Sequence, residues 1–334
     1  MQNQITSKVN LLQDGQLAER GFATEMNFVY NKKGQKLPAL GLKEWDFYQV
    51  VCGRKVLQMT IGHISYFSQV SAYLLDLDTG KREGVSKILL GSGKIKKQLA
   101  ADPEEPHLTQ YFSSKLKMQY EVTDKKRRLT LSQMDKYGVR AEIDVTLTNL
   151  SAEKDKMVIA TPFAKPKQWY LNYKENCFVA NGYARIAGME MEIVGGNGVI
   201  DWGRGVWPRK HQWVWGNGST LVDGKHFGFN IGWGFGDTSN ATENMYFFDN
   251  KAVKLNEVKE IRNGDNLRYV DDERKFVFDV QPLYDNYTRT KAVVVNNSCH
   301  QYWGLWRGHV ILPDGSKLEV PPFVAFCEHA DNNW

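Results

Sequence analysis

Cysteine is scarce in this sequence, and long apolar runs are missing. The 334 residues include four cysteines, far apart and without a CxxC pair: Cys52, Cys177, Cys299 and Cys327. A secreted domain held together by disulfides is much richer in cysteine, so we expect reduced thiols and a cytoplasmic protein. The first residues contain no apolar segment typical of a signal peptide. No apolar run approaches the roughly 20 residues of a membrane-spanning helix, so we expect no stable membrane insertion.

Concentrated charge and familiar motifs are missing too. The formal net charge is only +5, and the densest basic run, residues 125–128, is interpreted as a solvated hairpin turn. A nucleic-acid-binding domain usually carries a basic stripe, so no nucleic-acid partner is expected. There is no GxGxxG opening a helix, no P-loop, no HExxH and no GxSxG. The histidine spacings form no metal-binding set, so no metal is expected.

What the sequence does contain is period-two alternation of polar and apolar residues. Residues 115–122 alternate at every step, and Ile143, Val145 and Leu147 repeat the period. This pattern is typical of half-buried antiparallel strands. ILPDGSKLEV predicts two strands around a turn, and the best helical candidate is residues 104–113. We therefore predict an all-β protein of two packed barrel or sandwich units, residues 1–200 and 201–334, with the boundary somewhere between 165 and 210.

Tryptophan is concentrated in one stretch, VIDWGRGVWPRKHQWVWGNG, residues 199–218. It contains Trp202, Trp207, Trp213 and Trp215. On a strand, His211, Trp213 and Trp215 share one face. Asp201 and Arg204 are expected to approach from a Gly-rich bend. Indole rings would desolvate a titratable group and shift its pKa, which predicts a ligand pocket; the alternative is an aromatic core in which Asp201 and Arg204 pair.

Weaker candidates lie elsewhere in the chain. In EWDFYQ, Trp45 faces away from two carboxylates, Glu44 and Asp46, whose own face is either solvent or pocket. His63 precedes an apolar strand and is either a core histidine or a pocket residue. The Gly-rich stretch GWGFGDTSN contains Trp233 and leads to Glu243, the third acidic candidate.

Four segments together resemble a known family: DWGRGVWP, WVWGNG, GFNIGWGFGDTSNATEN and YWGLWRGHVILPDGSKLEV. Over residues 21–328 the sequence resembles the domain of unknown function 2804 family. That family is distantly similar to carotenoid 1,2-hydratases, tocopherol cyclases, AttH-like proteins and fungal Diels–Alderases. The resemblance implies two lipocalin-like β domains with a hydrophobic ligand between or inside them. It also implies protonation, hydration or cyclisation without an organic cofactor.

The resemblance bears on individual residues. Many members of the larger group carry an element of Asp, His, an acidic or amide residue and Trp, followed by a Trp-x-Trp strand. Asp201 and Trp202 match the ends of that element, and Trp213 and Trp215 match the strand. The histidine between the ends is missing here; either His211 replaces it, or this acid is absent.

Two hypotheses follow. The first is a cofactor-free enzyme on a lipophilic small molecule, a hydratase, cyclase, isomerase or lyase, with Asp201 as acid or base, His211 as its partner and Glu243 as a further catalytic candidate. The expected substrate-binding residues are Trp45, His63, Trp202, Arg204, Trp207, Trp213, Trp215 and Trp233. The second hypothesis is a non-catalytic carrier or sensor. Carbohydrate binding would instead need the tryptophans on an open groove. Convergence of Asp201, His211 and Glu243 on the largest pocket would favour the enzyme.

Overall fold

The fold is nearly all β and consists of two curled half-barrel sheets, which confirms the predicted class. The structure is a computed structural model and describes residues 2–333 except 35, 36, 39, 40, 92, 152, 265, 293 and 294. The first part of the chain forms β1 (Val9–Asn10), β2 (Leu12–Gln13), β3 (Gln16–Leu17), β4 (Gly21–Ala23), β5 (Phe28–Val29), β6 (Leu42–Cys52), β7 (Lys55–Ile64), β8 (Phe67–Asp76), β9 (Lys81–Leu90), helix α1 (Gly93–Gln98), β10 (His107–Phe112), β11 (Leu116–Val122), β12 (Lys126–Asp135), β13 (Gly138–Thr148), β14 (Met157–Pro162), β15 (Trp169–Ile186) and β16 (Met189–Val206). The second part forms β17 (Lys210–Val222), β18 (Lys225–Trp233), β19 (Met245–Phe248), β20 (Lys251–Lys254), β21 (Val258–Asn263), β22 (Asn266–Asp271), β23 (Phe276–Asp285), β24 (Thr288–Ala292), β25 (Val295–Ile311) and β26 (Lys317–Asn333).

Each sheet is built almost entirely from antiparallel neighbours. The first sheet has the order β10-β11-β12-β13-β15-β16-β6-β7-β8-β9, and β14 pairs with β15 and β4. The second has the order β20-β19-β18-β17-β26-β25-β23-β22-β21, and β24 pairs with β25. The chain passes from the first sheet to the second between Val206 and Lys210.

Side-chain alternation gives each half barrel its own core. Along β11, buried and more exposed residues alternate from Leu116 to Val122, as residues 115–122 predict. One apolar cluster fills the first half barrel and a second, rich in phenylalanine, fills the other. The predicted turn in ILPDGSKLEV also forms: Leu312 N–H donates to the Ser316 carbonyl, and Gly315 adopts a φ of 84° that suits glycine.

Two local predictions are wrong. Residues 104–113 contain β10 instead of a helix, because the segment pairs with β11, as in Tyr111 opposite Met118; tertiary pairing overrides the weak helical pattern. The basic run at 125–128 is not wholly solvated. Arg127 is buried and lies 3.4 Å from the Glu175 carboxylate, since β12 begins at Lys126 and turns this side chain inward.

Helices contribute little to the molecule. Within the described part of the chain the single helix is α1, which covers Gly93–Gln98. None of the described residues forms a helix with the length and apolarity needed to cross a membrane.

Candidate active site between the two sheets

A cavity of about 350 Å³ lies between the outer faces of the two half barrels. Strand alternation explains its walls. On β6, Trp45 and Phe47 face the cavity, whereas Glu44 and Asp46 point into the first half barrel. On β17, Trp213 and Trp215 face it from the second sheet. The volume is within the range of small-molecule sites.

Aromatic rings form one end of this cavity. Trp45 stacks on Tyr170 at 5.8 Å and meets Trp207 edge-on at 5.0 Å between ring centroids. Phe235 contacts Tyr170 at 4.9 Å and Trp213 at 5.7 Å. These ring faces offer dispersion contacts to an apolar ligand and can stabilise a developing positive charge.

Gly203 fixes the position of Trp45. The two residues are cross-strand neighbours on β16 and β6. A Cβ at position 203 would overlap the Trp45 indole, so any other residue would displace the ring. The glycine therefore belongs to the architecture of the cavity wall.

Asp201 reaches the cavity from the first sheet. Its neighbours across the strands are Lys174 on β15 and Phe47 on β6, and its carboxylate accepts a 2.6 Å hydrogen bond from the Asn172 side chain. Burial raises its pKa and the nearby Glu243 raises it further, while Lys174 and Asn172 oppose the shift. The balance holds the pKa above the usual range of an aspartate, so the proton is unusually well retained.

Lys174 and Glu243 form an ion pair beside Asp201. The Lys174 Nζ lies 2.5 Å from Glu243 Oε2 and 4.7 Å from the centroid of the Trp215 ring. Asn230 connects the pair to the second sheet: its Nδ2 donates to Glu243 at 3.2 Å, and its Oδ1 accepts from the Trp215 indole at 2.7 Å. The lysine is thus held by a carboxylate and an indole at once.

Glu328 approaches the cavity from the second sheet. On β26 it lies between Trp215 of β17 and Gln301 of β25. Its two oxygens accept hydrogen bonds from neutral donors, the Trp213 indole at 2.8 Å and the Gln301 amide at 3.2 Å. Burial raises its pKa to about 7, and Asp201 adds to the rise. This carboxyl therefore changes protonation state near neutral pH.

Six of the residues predicted from the sequence line this cavity: Asp201, Glu243, Trp45, Trp207, Trp213 and Trp215. His211 does not line it. The histidine stacks behind Trp213 at 5.7 Å with nearly parallel rings, and its Nδ1 lies 3.0 Å from the Pro208 carbonyl. Burial lowers its pKa to about 4, so it is neutral at physiological pH. It supports the aromatic wall and is not placed to exchange protons with Asp201.

Arg204 and Trp202 point into the first half barrel instead of the cavity. Residues 201–206 continue strand β16 and do not form the expected bend, so positions 201 and 204 face opposite sides of the sheet. Arg204 is fully buried, 2.8 Å from Asp46 and 3.9 Å from Glu44. Trp202 belongs to the first apolar core. The predictions that these two side chains bind a ligand, and that Arg204 pairs with Asp201, are corrected accordingly.

His63 and Trp233 also lie away from the cavity wall. His63 is buried, with Nδ1 3.1 Å from the Ser68 hydroxyl, and burial lowers its pKa. Trp233 packs against the second apolar core at the end of β18. Neither side chain is among the residues that line the cavity.

Sequence reasoning missed Lys174, Gln301 and Glu328. For Glu328 a signal exists in FVAFCEHA, residues 323–330. A lone glutamate stands there on the strand face that also holds Phe326 and Ala330. A carboxyl in such a position is either exposed or held in a pocket. For Lys174, in LNYKENCF, no comparable signal is present.

Among the residues that the structure describes, one group of possible metal ligands lies outside the cavity wall: Glu260, Cys327 and His329. Glu260 already accepts hydrogen bonds from Arg262 Nε at 2.5 Å and the Tyr269 hydroxyl at 2.8 Å, and it lies 2.9 Å from His329 Nε2. Burial raises the pKa of the Cys327 thiol, which disfavours the thiolate that a metal requires. The Glu260 carboxylate already has protein hydrogen-bond partners, and we interpret the three residues as a structural group.

The amino-acid sequence matches one protein family along nearly its whole length. A family model described as "Domain of unknown function (DUF2804)" matches residues 2–334. No curated protein sequence matches the chain at a significant level.

Similar solved structures include an AttH-like protein from Nitrosomonas europaea, with 13% identity and a TM-score of 0.54 over 90% of this chain and 98% of that one. Kievitone hydratase from Nectria haematococca has 10% identity and a TM-score of 0.51, covering 87% of this chain and 88% of its own. CghA in complex with Sch210972 has 11% identity and a TM-score of 0.52, covering 91% of each chain. At these identities the likeness shows a shared fold.

Proposed function

The chain belongs to the DUF2804 family, and we propose that this member is an enzyme that transfers protons to and from a largely apolar small molecule. The reaction would be a hydration, cyclisation, isomerisation or elimination in the cavity between the sheets, without an organic cofactor. The observation that carries the proposal is that Asp201 and Glu328, each with a raised pKa, line one aromatic cavity from opposite sheets.

The two carboxyls suit acid–base chemistry at neutral pH. General acid–base catalysis works best when the pKa of the group lies near the working pH, and the pKa of Glu328 is about 7. In a hydration, the protonated carboxyl gives its proton to the substrate, and the ionised one takes a proton from the attacking water. In an isomerisation, the ionised carboxyl takes a proton from one carbon, and the protonated one returns a proton to another.

The surrounding groups support this chemistry. The aromatic wall offers ring faces to a developing cation, as at Trp45 and Trp207. Lys174 is held between Glu243 and Trp215, close enough to Asp201 to favour its ionised form. We assign Asp201 as the base, because the Lys174 cation lies beside it, and Glu328 as the acid, because its hydrogen-bond donors are neutral.

A carrier or sensor is the alternative. Such a protein needs the cavity and the aromatic rings, but it gains nothing from buried carboxyls, whose desolvation costs stability. Asp201 and Glu328 therefore favour the enzyme. The difference between the two functions is chemical conversion of the bound molecule.

The experiment begins with the molecule that the protein retains. Native mass spectrometry of the purified protein identifies a co-purifying ligand, which is then incubated with wild type, Asp201→Asn and Asp279→Asn. Asp279 is the control because it pairs with Arg268 on the exposed surface at 2.7 Å. We expect conversion by wild type and the control, and a loss of about a hundredfold or more in Asp201→Asn. Binding without conversion by any of the three would leave a carrier.

The compartment is a further part of the proposal. All four cysteines are free thiols, two of them buried, Cys177 and Cys327. Reduced cysteines are typical of cytoplasmic proteins, and we propose that compartment with a lipophilic small molecule as the partner and no nucleic acid.

A further inference from the structure

Two large apolar side chains stand in solvent at the end of β9. Ile88 is 56% exposed and Leu90 is 84% exposed. We call these two residues the apolar lip. β9 is an edge strand of the first sheet, with β8 as its one neighbour in the sheet order. Isolated exposed apolar residues are ordinary on protein surfaces. The apolar lip is therefore a candidate binding surface only if it is connected to the cavity.

The apolar lip continues the wall of the cavity. In the β8–β9 ladder, Ile88 lies opposite Gln69, and Leu90 lies opposite Phe67. Gln69 lines the cavity, and so does Arg82 near the start of β9. The Arg82 guanidinium lies 3.7 Å from the Tyr73 ring centroid on this same face. Side chains two apart on a strand share a face, so the cavity wall runs along β9 onto exposed apolar surface.

Lysines lie close to the apolar lip in the sequence. Residues 84–101 contain four lysines, Lys87, Lys94, Lys96 and Lys97, and no acidic residue. The formal net charge of the whole chain is only +5, so the net positive charge of this short segment is well above the chain average. Lys94 and Lys97 are exposed on α1, which directly follows β9; we call these two residues the lysine rim.

We propose that the apolar lip and the lysine rim form a docking surface for an anionic lipid bilayer, on the edge strand that also contributes Arg82 to the cavity wall. Apolar side chains that reach the acyl boundary, with lysines at the headgroup level, are the combination that holds proteins at a membrane interface. Each lysine near an anionic surface adds attraction. The contact is peripheral and reversible, and it holds whether the cavity is catalytic or a carrier site.

A second copy of the chain is the competing occupant, since an edge strand can pair with another edge. A symmetric contact would place the same surface of both copies together. The lysines of residues 84–101 would then face the same lysines of the partner, with no acidic residue in the segment to balance them. The charge therefore favours an anionic surface over a second copy.

The test is co-sedimentation of the whole protein with vesicles. Phosphatidylcholine vesicles containing about 30% phosphatidylserine are compared with pure phosphatidylcholine, because the lysine contribution depends on anionic lipid. We expect wild type to bind the anionic vesicles, and binding to fall steeply with salt. Lys94→Gln with Lys97→Gln should weaken the partition coefficient about thirtyfold. Ile88→Ser with Leu90→Ser should weaken it about tenfold or more.

Matched controls separate docking from general effects. Leu221→Ser removes an exposed apolar residue of the second sheet, 53% exposed, and Lys259→Gln removes an exposed lysine of β21. Both should bind vesicles as wild type does, and unchanged melting temperatures establish that all variants are folded. Equal binding of wild type and the lip variant would overturn the proposal. So would a wild-type dimer that Ile88→Ser with Leu90→Ser converts to a monomer, because that result assigns the surface to a second copy.

Discussion

The indole Nε1 of Trp213 donates a 2.8 Å hydrogen bond to the carboxylate of Glu328. One side chain thus serves as aromatic wall and as the orienting partner of the carboxyl whose pKa is about 7. One hydrogen bond therefore joins the aromatic wall of the cavity to its acidic group. A change at either residue should alter both ligand contact and proton affinity.

Asp201→Asn should lower turnover about a hundredfold or more while leaving ligand affinity and melting temperature nearly unchanged. The asparagine keeps an oxygen to accept the hydrogen bond from Asn172, now 2.6 Å from Asp201, but it cannot exchange a proton. Calorimetry and a turnover assay on the same preparation check this. A melting temperature that falls together with activity would make Asp201 a structural residue.

Glu328→Gln should flatten the dependence of stability on pH. Glu328 binds its proton more tightly in the folded state, because burial raises its pKa from 4.5 to about 7. Its contribution to the free energy of unfolding is therefore fully present below about pH 4.5 and is lost as the pH rises through about 7. Denaturant unfolding from pH 5 to pH 8 should show wild type losing up to about 3 kcal/mol more than the variant.

The absolute stability of Glu328→Gln provides a second check. At pH 5 the variant should be less stable by about 1 kcal/mol, since one of the two hydrogen bonds to the carboxyl loses an acceptor. If the pH dependence of wild type and variant were parallel, the raised pKa assigned to Glu328 would be wrong.

Trp213→Phe should move the pH-dependent loss of stability to higher pH. The hydrogen bond from Trp213 favours the ionised form of Glu328 and so lowers its pKa against the effect of burial. Phenylalanine keeps an aromatic ring but donates no hydrogen bond. Trp233→Phe is the matched control, because Trp233 packs on the second core away from the cavity wall. A shift of the same size in both variants would contradict the assigned role of Trp213.

Arg204→Met should destabilise the fold by about 3–5 kcal/mol, because it leaves Asp46 as an unpaired buried charge. The two side chains are 2.8 Å apart and almost fully buried. Arg128→Met breaks an exposed pair with Asp144 at 2.7 Å and should cost far less stability, because solvent screens exposed pairs. Urea unfolding of both variants gives the comparison. Equal losses in the free energy of unfolding would mean that the buried Arg204 pair stabilises the fold no more than the exposed Arg128 pair does.

The sequence predicts what depends on local pattern. Period-two alternation indicates an all-β fold, and the two-residue spacing of Trp213 and Trp215 is enough to place both rings on one strand face. The prediction for Arg204 is wrong because Gly203 and Gly205 suggest a bend; in the sheet, Gly203 instead makes room for the Trp45 ring. A glycine inside a strand often marks the close approach of another group.

Local sequence pattern does not predict that the two carboxyls line the same cavity. Asp201 is on β16 and Glu328 on β26, and only the packing of one sheet against the other brings them to the same cavity. Lys174 is similar: its role depends on Glu243 and Trp215, which belong to distant parts of the chain. No periodicity in the sequence encodes these distances.

The most direct test of the account is a carbon-13 NMR titration of the glutamate side-chain carboxyls. It needs no knowledge of the substrate, and Glu328→Gln identifies the signal of Glu328. We predict one glutamate carboxyl that titrates near pH 7 in the wild type, in line with the pKa of about 7, and that disappears in the variant. If every glutamate carboxyl were ionised by about pH 5, as ordinary glutamates are, Glu328 would not be an acid poised for proton transfer, and the account would fail.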